Sequence, residues 1–330
     1  MAFFKKVVIF ATFFALSGCF DHPRLYKKTR LLMGTFVEVT AASPEVINFA
    51  FSFMEKLSKR LNGYYPDSDI YRLNKNAGCK AVKVSPQTIE ILILSRKMYE
   101  LTEGVFDVSA GRIIKFWKQM MRKEKLKKLP PLSEIKKIAS YKGIKEIRID
   151  AQNLEVFIKN KNIRLDLGGI AKGYIVDKTI EALKKKGVKS ILINAGGDIY
   201  ALGNNPQKGK PWKVGIRNPQ NPRQIVNVIA LSDAAIATSG DSEQFFTCCG
   251  KIYSHIIDLK SGLPIEKRKF VSVSVIAPNL TTADGLATTL FILGRGKIPV
   301  FLAQRRSNFR VFVVEGEKDN VHIYQFGEGF

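Results

Sequence analysis

The sequence predicts an α+β fold, a mixed β-sheet core with flanking helices, on three observations. In the second half, short apolar runs at 226–231, 235–238, 253–258 and 271–276 are separated by turn residues, as strands are. In the first half, two stretches repeat apolar residues at helical spacing, each behind a Ser-Pro pair. No long-period repeat, low-complexity linker or composition break divides the 330 residues, so residues 30–330 are expected to form one domain.

The chain opens with Lys5 and Lys6 before an apolar run at 7–16 that meets Ser17-Gly18-Cys19. That run is too short to span a bilayer. A basic start, a short apolar run and small residues before a cysteine predict a lipoprotein signal peptide over 1–18, with Cys19 acylated and 19–29 serving as a tether. Phe20 stands where an aspartate usually marks inner-membrane retention, so inner and outer membrane both remain open.

Residues 31–40 read as a strand interrupted at Met33-Gly34-Thr35. Ser43-Pro44 then caps a helix carrying Ile47, Phe51, Met54, Leu57 and Leu61 on one face, and Ser85-Pro86 caps a second with Ile89, Leu92, Ile93 and Leu101. Alternation predicts a strand or hairpin at 148–158 and a strand at 163–167. A Gly168-Gly169 turn, a helix at 171–186 and a strand at 190–194 follow, together a strand, tight turn, helix, strand unit. A helix over 282–293 and a strand at 309–314 close the core.

The net charge of +24 admits nucleic acid, anionic lipid or a phosphorylated ligand as partner. Thirteen Lys or Arg against three acidic residues crowd into 112–148, a segment with few aromatics for base stacking. An exported chain is also kept from DNA, so nucleic acid is not expected; solvated faces near an anionic membrane are. Of four cysteines Cys19 is assigned to lipid, which leaves Cys79, Cys248 and Cys249, too few for a disulfide framework. Pairing among these three and burial as small hydrophobes are both open.

Three constellations carry candidate chemistry. In Asp166-Leu-Gly-Gly-Ile-Ala-Lys-Gly173 a glycine pair leads into a helix N-terminus, where Lys172 adds positive charge, a setting for an anion. The spacing is not that of a P-loop, and a plain tight turn with a surface lysine fits as well. Asp284 and Thr288 lie four apart, which places a carboxylate and a hydroxyl on one helix face. Such oxygens suit Mg²⁺, although a first-turn aspartate interacting with the helix dipole explains the spacing equally. His255 is one of three histidines and sits on an alternating strand, a place more often structural than catalytic.

Taken together and in order, these blocks resemble the ApbE family of flavin transferases, FAD:protein FMN transferases of the bacterial periplasm. The similarity rests on Met33-Gly34-Thr35, Tyr64 to Asp69 leading to Asn74, Gly104 to Asp107 leading to Gly111 and Trp117, and Asp166 to Gly173. It continues through Asn194 to Asp198, Ala237 to Asp241, Ser254 to Asp258 and Thr282 to Thr288, nearly the whole mature chain.

The resemblance implies FAD as substrate, bound by Met33, Tyr64, Val105, Phe106, Asp107, Asp166, Lys172 and Ile257. It implies Mg²⁺ between the Gly169 carbonyl, Asp284 and Thr288, with Ala287 where some members carry a further acid. A Ser or Thr hydroxyl of a target flavoprotein, such as a subunit of a membrane redox complex, would attack the FMN phosphorus. AMP would leave, and His255 would act as base. FAD pyrophosphatase activity and non-catalytic FAD carriage are the alternatives.

Overall fold

A computed structural model describes residues 24–122, 126, 128–240, 245–267, 270–305, 309–317 and 320–328. The expected signal peptide, Cys19 and Asp241 lie outside the described residues.

The first strand region is a hairpin, β1 (Tyr26–Leu32) and β2 (Thr35–Ala41), paired from Tyr26↔Ala41 to Leu32↔Thr35. Its two-residue turn places both Met33 (φ 55°) and Gly34 (φ 75°) in the left-handed region, the twist that tight hairpins favour. β1 begins inside the stretch assigned to the tether. Helix α1 (Pro44–Leu61) starts where expected: the Ser43 side chain accepts from the Glu45 and Val46 N–H groups, and Ile47, Phe51, Met54, Leu57 and Leu61 are buried. Helix α2 (Asp69–Lys75), short strand β3 (Val82–Lys83) and helix α3 (Pro86–Leu101) follow, α3 capped by Ser85. On α3 it is Ile91 that is buried, and Ile93 faces outward instead of joining the core.

Helices α4 (Gly111–Met121) and α5 (Leu132–Ala139) precede a hairpin of β4 (Ile147–Asp150) and β5 (Glu155–Ile158). The strand expected at 163–167 does not form. Ile163, Leu165 and Leu167 are buried as the alternation predicts, but the backbone finds loop and side-chain partners instead of a ladder. Asp166 N–H donates to the Val108 carbonyl (2.8 Å), Gly111 N–H to the Arg164 carbonyl (2.8 Å), and Leu165 N–H to Asn74 Oδ1 (2.6 Å). Helix α6 (Ala171–Lys185) is therefore entered from an irregular loop, and the expected strand-turn-helix-strand unit lacks its first strand.

Next come β6 (Ile191–Ala195), β7 (Asp198–Leu202), β8 (Asn204–Asn205), β9 (Lys210–Arg217), β10 (Ile225–Leu231) and β11 (Ala234–Gly240). They are followed by β12 (Phe245–Cys248), β13 (Lys251–Asp258), β14 (Leu263–Glu266), β15 (Phe270–Ala277), helices α7 (Leu280–Leu293) and α8 (Ile298–Gln304), and strands β16 (Arg310–Glu317) and β17 (Asn320–Phe326). The α+β class holds. The eight-stranded sheet runs β1-β2-β6-β7-β11-β15-β16-β17, and every neighbouring pair in it is antiparallel.

Alternation gives this sheet two apolar faces. Val37, Val39, Ile191, Ile193, Val273, Val275, Val311 and Val313 join the main core with residues of α1, α3, α6 and α7. On the reverse face Ile236, Ile276, Phe312 and Val314 meet Trp212, Val214, Ile229 and Leu231 of the small β8–β10 sheet. A third cluster joins Ile113 and Trp117 of α4 and Ile135 of α5 to Ile257 and Leu259, with Trp117 Nε1 donating to the Gly262 carbonyl (2.8 Å). The candidate site lies where α4, α6, α7 and β13 converge.

Candidate active site

The site begins with how α6 meets α7. Gly173, on the first turn of α6, lies so close to α7 that an added Cβ would press into the Leu280 carbonyl, so only glycine allows this approach. Asp177, one turn further, accepts the N–H groups of Leu280 (2.8 Å) and Thr281 (2.7 Å) and the Thr281 hydroxyl. Asn279 caps α7 through the Thr282 N–H (2.8 Å). The helix starts two residues earlier than expected, so Asp284 lies in its second turn. There Asp284 is buried, and its Oδ2 accepts the Gly173 N–H (3.2 Å), which a surface aspartate at the helix dipole would not do.

Lys172 Nζ lies 3.0 Å from Asp198 Oδ2 and 3.5 Å from Asp284 Oδ1. Burial works against the ammonium charge, yet the two carboxylates outweigh it and raise the Lys172 pKa. Burial likewise holds the Asp198 carboxyl above the usual carboxylate range, with Lys172 opposing that shift. Sequence reasoning had left open whether Lys172 is a surface residue. The structure makes it the centre of a mostly buried charge cluster, whose desolvation strengthens each interaction.

A cavity of about 450 Å³ opens beside this cluster. Met33, Val105, Phe106, Asp107, Asp166, Gly169, Lys172, His255, Ile257, Asp284 and Thr288 all line it. An adjoining cavity of about 440 Å³ shares Met33, Lys118, Asp166, Gly168 and Lys172 with the first. Tyr64 lines this second cavity, exposed at its edge with Lys118 and Arg164 over its ring at 5.9 and 6.0 Å. Residues from eight separate stretches of sequence thus meet in two connected hollows.

Each wall has a local cause. The β1–β2 turn puts Met33 where both cavities meet. Asp107 accepts from the Ser109 N–H (2.8 Å) and hydroxyl (2.6 Å), and burial pushes its pKa up. Asp166 Oδ1 accepts the Gly168 N–H (2.8 Å) while its Oδ2 takes Lys118 Nζ (3.0 Å). Ile170, at the N-cap of α6, offers no capping oxygen. In the first turn the Ala171 N–H donates to the Leu167 carbonyl (2.8 Å) and the Gly173 N–H to Asp284, which leaves Lys172 as the group that presents positive charge to the cavity. The β13–β14 pairing shifts register between Tyr253 and Ile257, and such a bulge re-aims side chains, here around His255.

Among the described residues no three His, Cys, Asp or Glu side chains gather to hold a metal. The oxygens at this wall are the Asp284 carboxylate and the Thr288 hydroxyl, which lies 3.0 Å from Ser239 Oγ. That donor set is wrong for zinc. It fits a hard cation that takes few protein ligands and completes its shell with water and phosphate oxygens.

A profile of the ApbE family matches residues 33–313, which contain every wall of both cavities. The chain belongs to the ApbE family. It is 33% identical over 242 residues to the FAD:protein FMN transferase of Vibrio cholerae, covering 73% of this chain and 71% of that protein. The FAD:protein FMN transferase of Haemophilus influenzae is 28% identical over 321 residues, 93% of this chain and 91% of its own. Among solved structures, the ApbE protein of Thermotoga maritima superposes with a TM-score of 0.79 at 28% identity, covering 91% of this chain and 96% of that one. The flavin transferase ApbE from Vibrio cholerae gives 0.77 at 27%, covering 92% and 97%.

In this ApbE-family site sequence reasoning missed four residues. Asp198 is a buried ion-pair partner of Lys172, Lys118 an exposed one of Asp166, Asp177 docks α7, and Ser239 meets Thr288. Asp198 and Ser239 had a signal, as members of Asn194-Ala-Gly-Gly-Asp198 and Ala237-Thr-Ser-Gly-Asp241; Lys118 and Asp177 had none. Ala287 is buried in the main core and lines neither cavity, so an acid at that position would not reach the Asp284–Thr288 wall without moving the helix.

Proposed function

We propose that this chain is an FAD:protein FMN transferase, attaching FMN through a phosphoester to a Ser or Thr of a target flavoprotein and releasing AMP. The observation that carries the proposal is the Lys172 ammonium held by Asp198 and Asp284 at the junction of two cavities. The two cavities share Asp166, Gly168 and Lys172, a wall at which the pyrophosphate would lie with the two halves of the dinucleotide on either side.

The reaction asks for charge neutralisation on a pyrophosphate and a base for an incoming hydroxyl. Lys172, at the start of α6, binds and orients the phosphates. Met33, Val105, Phe106 and Ile257 offer apolar surface to a flavin ring, and Tyr64 offers an aromatic face to a base. Asp284, Thr288 and the Gly169 carbonyl would hold Mg²⁺, which would supply Lewis-acid neutralisation of the phosphate oxygens. His255 takes the proton from the acceptor hydroxyl as its oxygen bonds to the FMN phosphorus and the bond to AMP breaks.

We further propose export, lipidation at Cys19 and residence on the periplasmic face of a membrane, close to flavoprotein subunits of redox complexes. The basic apolar start and Ser17-Gly18-Cys19 support this reading. Cys19→Ser should release the protein from the membrane fraction or block its processing; normal cleavage with unchanged fractionation rejects it.

The deciding experiment incubates the protein with FAD, Mg²⁺ and a peptide bearing a candidate acceptor threonine, and weighs the peptide. A gain of one FMN phosphoryl group, with AMP released, is expected. AMP and FMN released without peptide modification would make the site a pyrophosphatase. Tight FAD retention with neither product would make it a carrier.

A further inference from the structure

The β12–β13 hairpin turns through Cys249 and Gly250, with Cys248 and Lys251 as its last paired residues. Both turn residues are left-handed, at φ 53° and 74°. Glycine accepts this freely, whereas Cys249 adopts it against the steric preference of a residue with a Cβ. The turn has a chemical consequence. Neighbouring side chains on an extended strand point to opposite faces, but here the two Sγ atoms come within 3.3 Å.

The two thiols are not equivalent. Cys249 is exposed and Cys248 is buried, and burial pushes the Cys248 thiol pKa up. The base of the hairpin is held fast: Phe246 stacks on Tyr253 and on Trp117, and Lys251 pairs with Glu266 (3.0 Å). Any rearrangement is thereby confined to the turn. Neither cysteine lines the catalytic cavities, so the proposed transfer reaction leaves this pair unexplained.

We propose that Cys248 and Cys249 form a redox-active dithiol, the site of a vicinal disulfide made by exchange with a low-molecular-weight disulfide. The exposed Cys249 thiolate attacks one sulfur of the oxidant, forming a mixed disulfide and releasing one thiol. Cys248, its proton lost to solvent, then attacks the Cys249 sulfur and expels the second thiol. The protein loses two hydrogens, and the oxidant, reduced to two thiols, gains them. The sulfurs close from 3.3 Å to the ~2.05 Å of a disulfide.

The test treats the folded, reduced chain with oxidised glutathione, blocks remaining thiols with iodoacetamide under denaturing conditions, and weighs the peptide that ends at Lys251. The expected peptide is lighter than its reduced form by two hydrogen atoms and carries neither glutathione nor alkyl label. Cys249→Ser, an exposed change that leaves the core untouched, should abolish the loss and leave Cys248 alkylated. Cys248→Ala should instead trap glutathione on Cys249. Glutathione retained on Cys249 in the parent, or alkylation of both cysteines after oxidation, overturns the proposal. FAD plays no part in this readout, so it stands or falls apart from the transferase reading.

Discussion

Lys172 and Asp284 face each other from the adjoining helices α6 and α7, Nζ to Oδ1 at 3.5 Å, while the other Asp284 oxygen takes the N–H of Gly173. One carboxylate therefore ties the two helices together and presents charge to the cavity. Position 284 serves the fold as well as the site.

Asp284→Asn and Asp284→Ala should accordingly differ. The amide can keep an oxygen toward Gly173 but loses the charge, so FAD turnover should fall by roughly 10²-fold or more with a modest drop in melting temperature. The alanine leaves a buried N–H without its acceptor, at about 1–3 kcal/mol, so it should also lower the urea midpoint. A first-turn aspartate at the helix dipole, which the spacing alone allows, would leave the fold intact when truncated; the buried Asp284 contradicts that. Turnover assays with Mg²⁺ and with EDTA, beside urea melts of both variants, check this. Full activity of Asp284→Asn in EDTA would remove the metal assignment.

Lys172→Met should abolish turnover and destabilise the protein, because Asp198 and Asp284 would face each other without a cation. Breaking a buried pair costs about 3–5 kcal/mol, and the partial exposure of Lys172 places this case at the lower end or below. Adding Asp198→Asn removes one of the two like charges. The double variant should recover much of the stability and none of the activity, a coupling read from a double-mutant cycle in urea. Additive losses would mean the three groups do not act as a unit.

Asp177 gives stability a pH dependence. Burial pushes its carboxyl up to about 6 against an ordinary value of 3.8, its hydrogen bonds to Thr281 and Leu280 only partly opposing the shift. Between these values the folded state binds more protons than the unfolded one, so this group's contribution is full below pH 3.8 and is lost as pH rises through 6. The loss is up to about 3 kcal/mol. Urea midpoints from pH 4 to 7 should show the fall in the parent and not in Asp177→Asn, which starts lower because an amide cannot accept on both sides. Parallel curves would refute the shift.

Local rules made much of this legible. Ser43 and Ser85 announced two helices because a cap acts within three residues, and the short apolar runs at 253–258 and 271–276, set off by turn residues, announced the strands found at 251–258 and 270–277. What failed depends on partners distant in sequence. The alternation at 163–167 foretold an extended segment but not that Val108, Gly111 and Asn74 would take its hydrogen bonds. Every residue assigned to the site lines one of the two cavities, except Cys19, which lies outside the described chain. Asp177 could not be singled out from sequence, and the motif that contains Asp198 did not reveal its partner, since an aspartate gains its role from the lysine or helix terminus that folding brings to it.

His255 separates transfer from binding. It is half-buried on β13 at the cavity wall, away from the Lys172–Asp284 cluster in sequence and element, so its loss should leave phosphate binding largely intact. If it accepts the hydroxyl proton, His255→Ala should bind FAD nearly as well as the parent while FMN transfer falls by roughly 10²-fold or more, the usual scale for a lost general base. A protonated imidazole cannot accept a proton, so the parent's transfer rate should decline on the acid side while FAD affinity, which the proposed function assigns to Lys172 and Mg²⁺, changes less. His255→Ala should also flatten that acid limb, which a merely structural histidine would not do. Equal losses of binding and transfer would make His255 a positioning residue, and unimpaired transfer would shift the role of base to a carboxylate such as Asp258, whose side chain already accepts from Lys260 and Ser261 in the turn after β13.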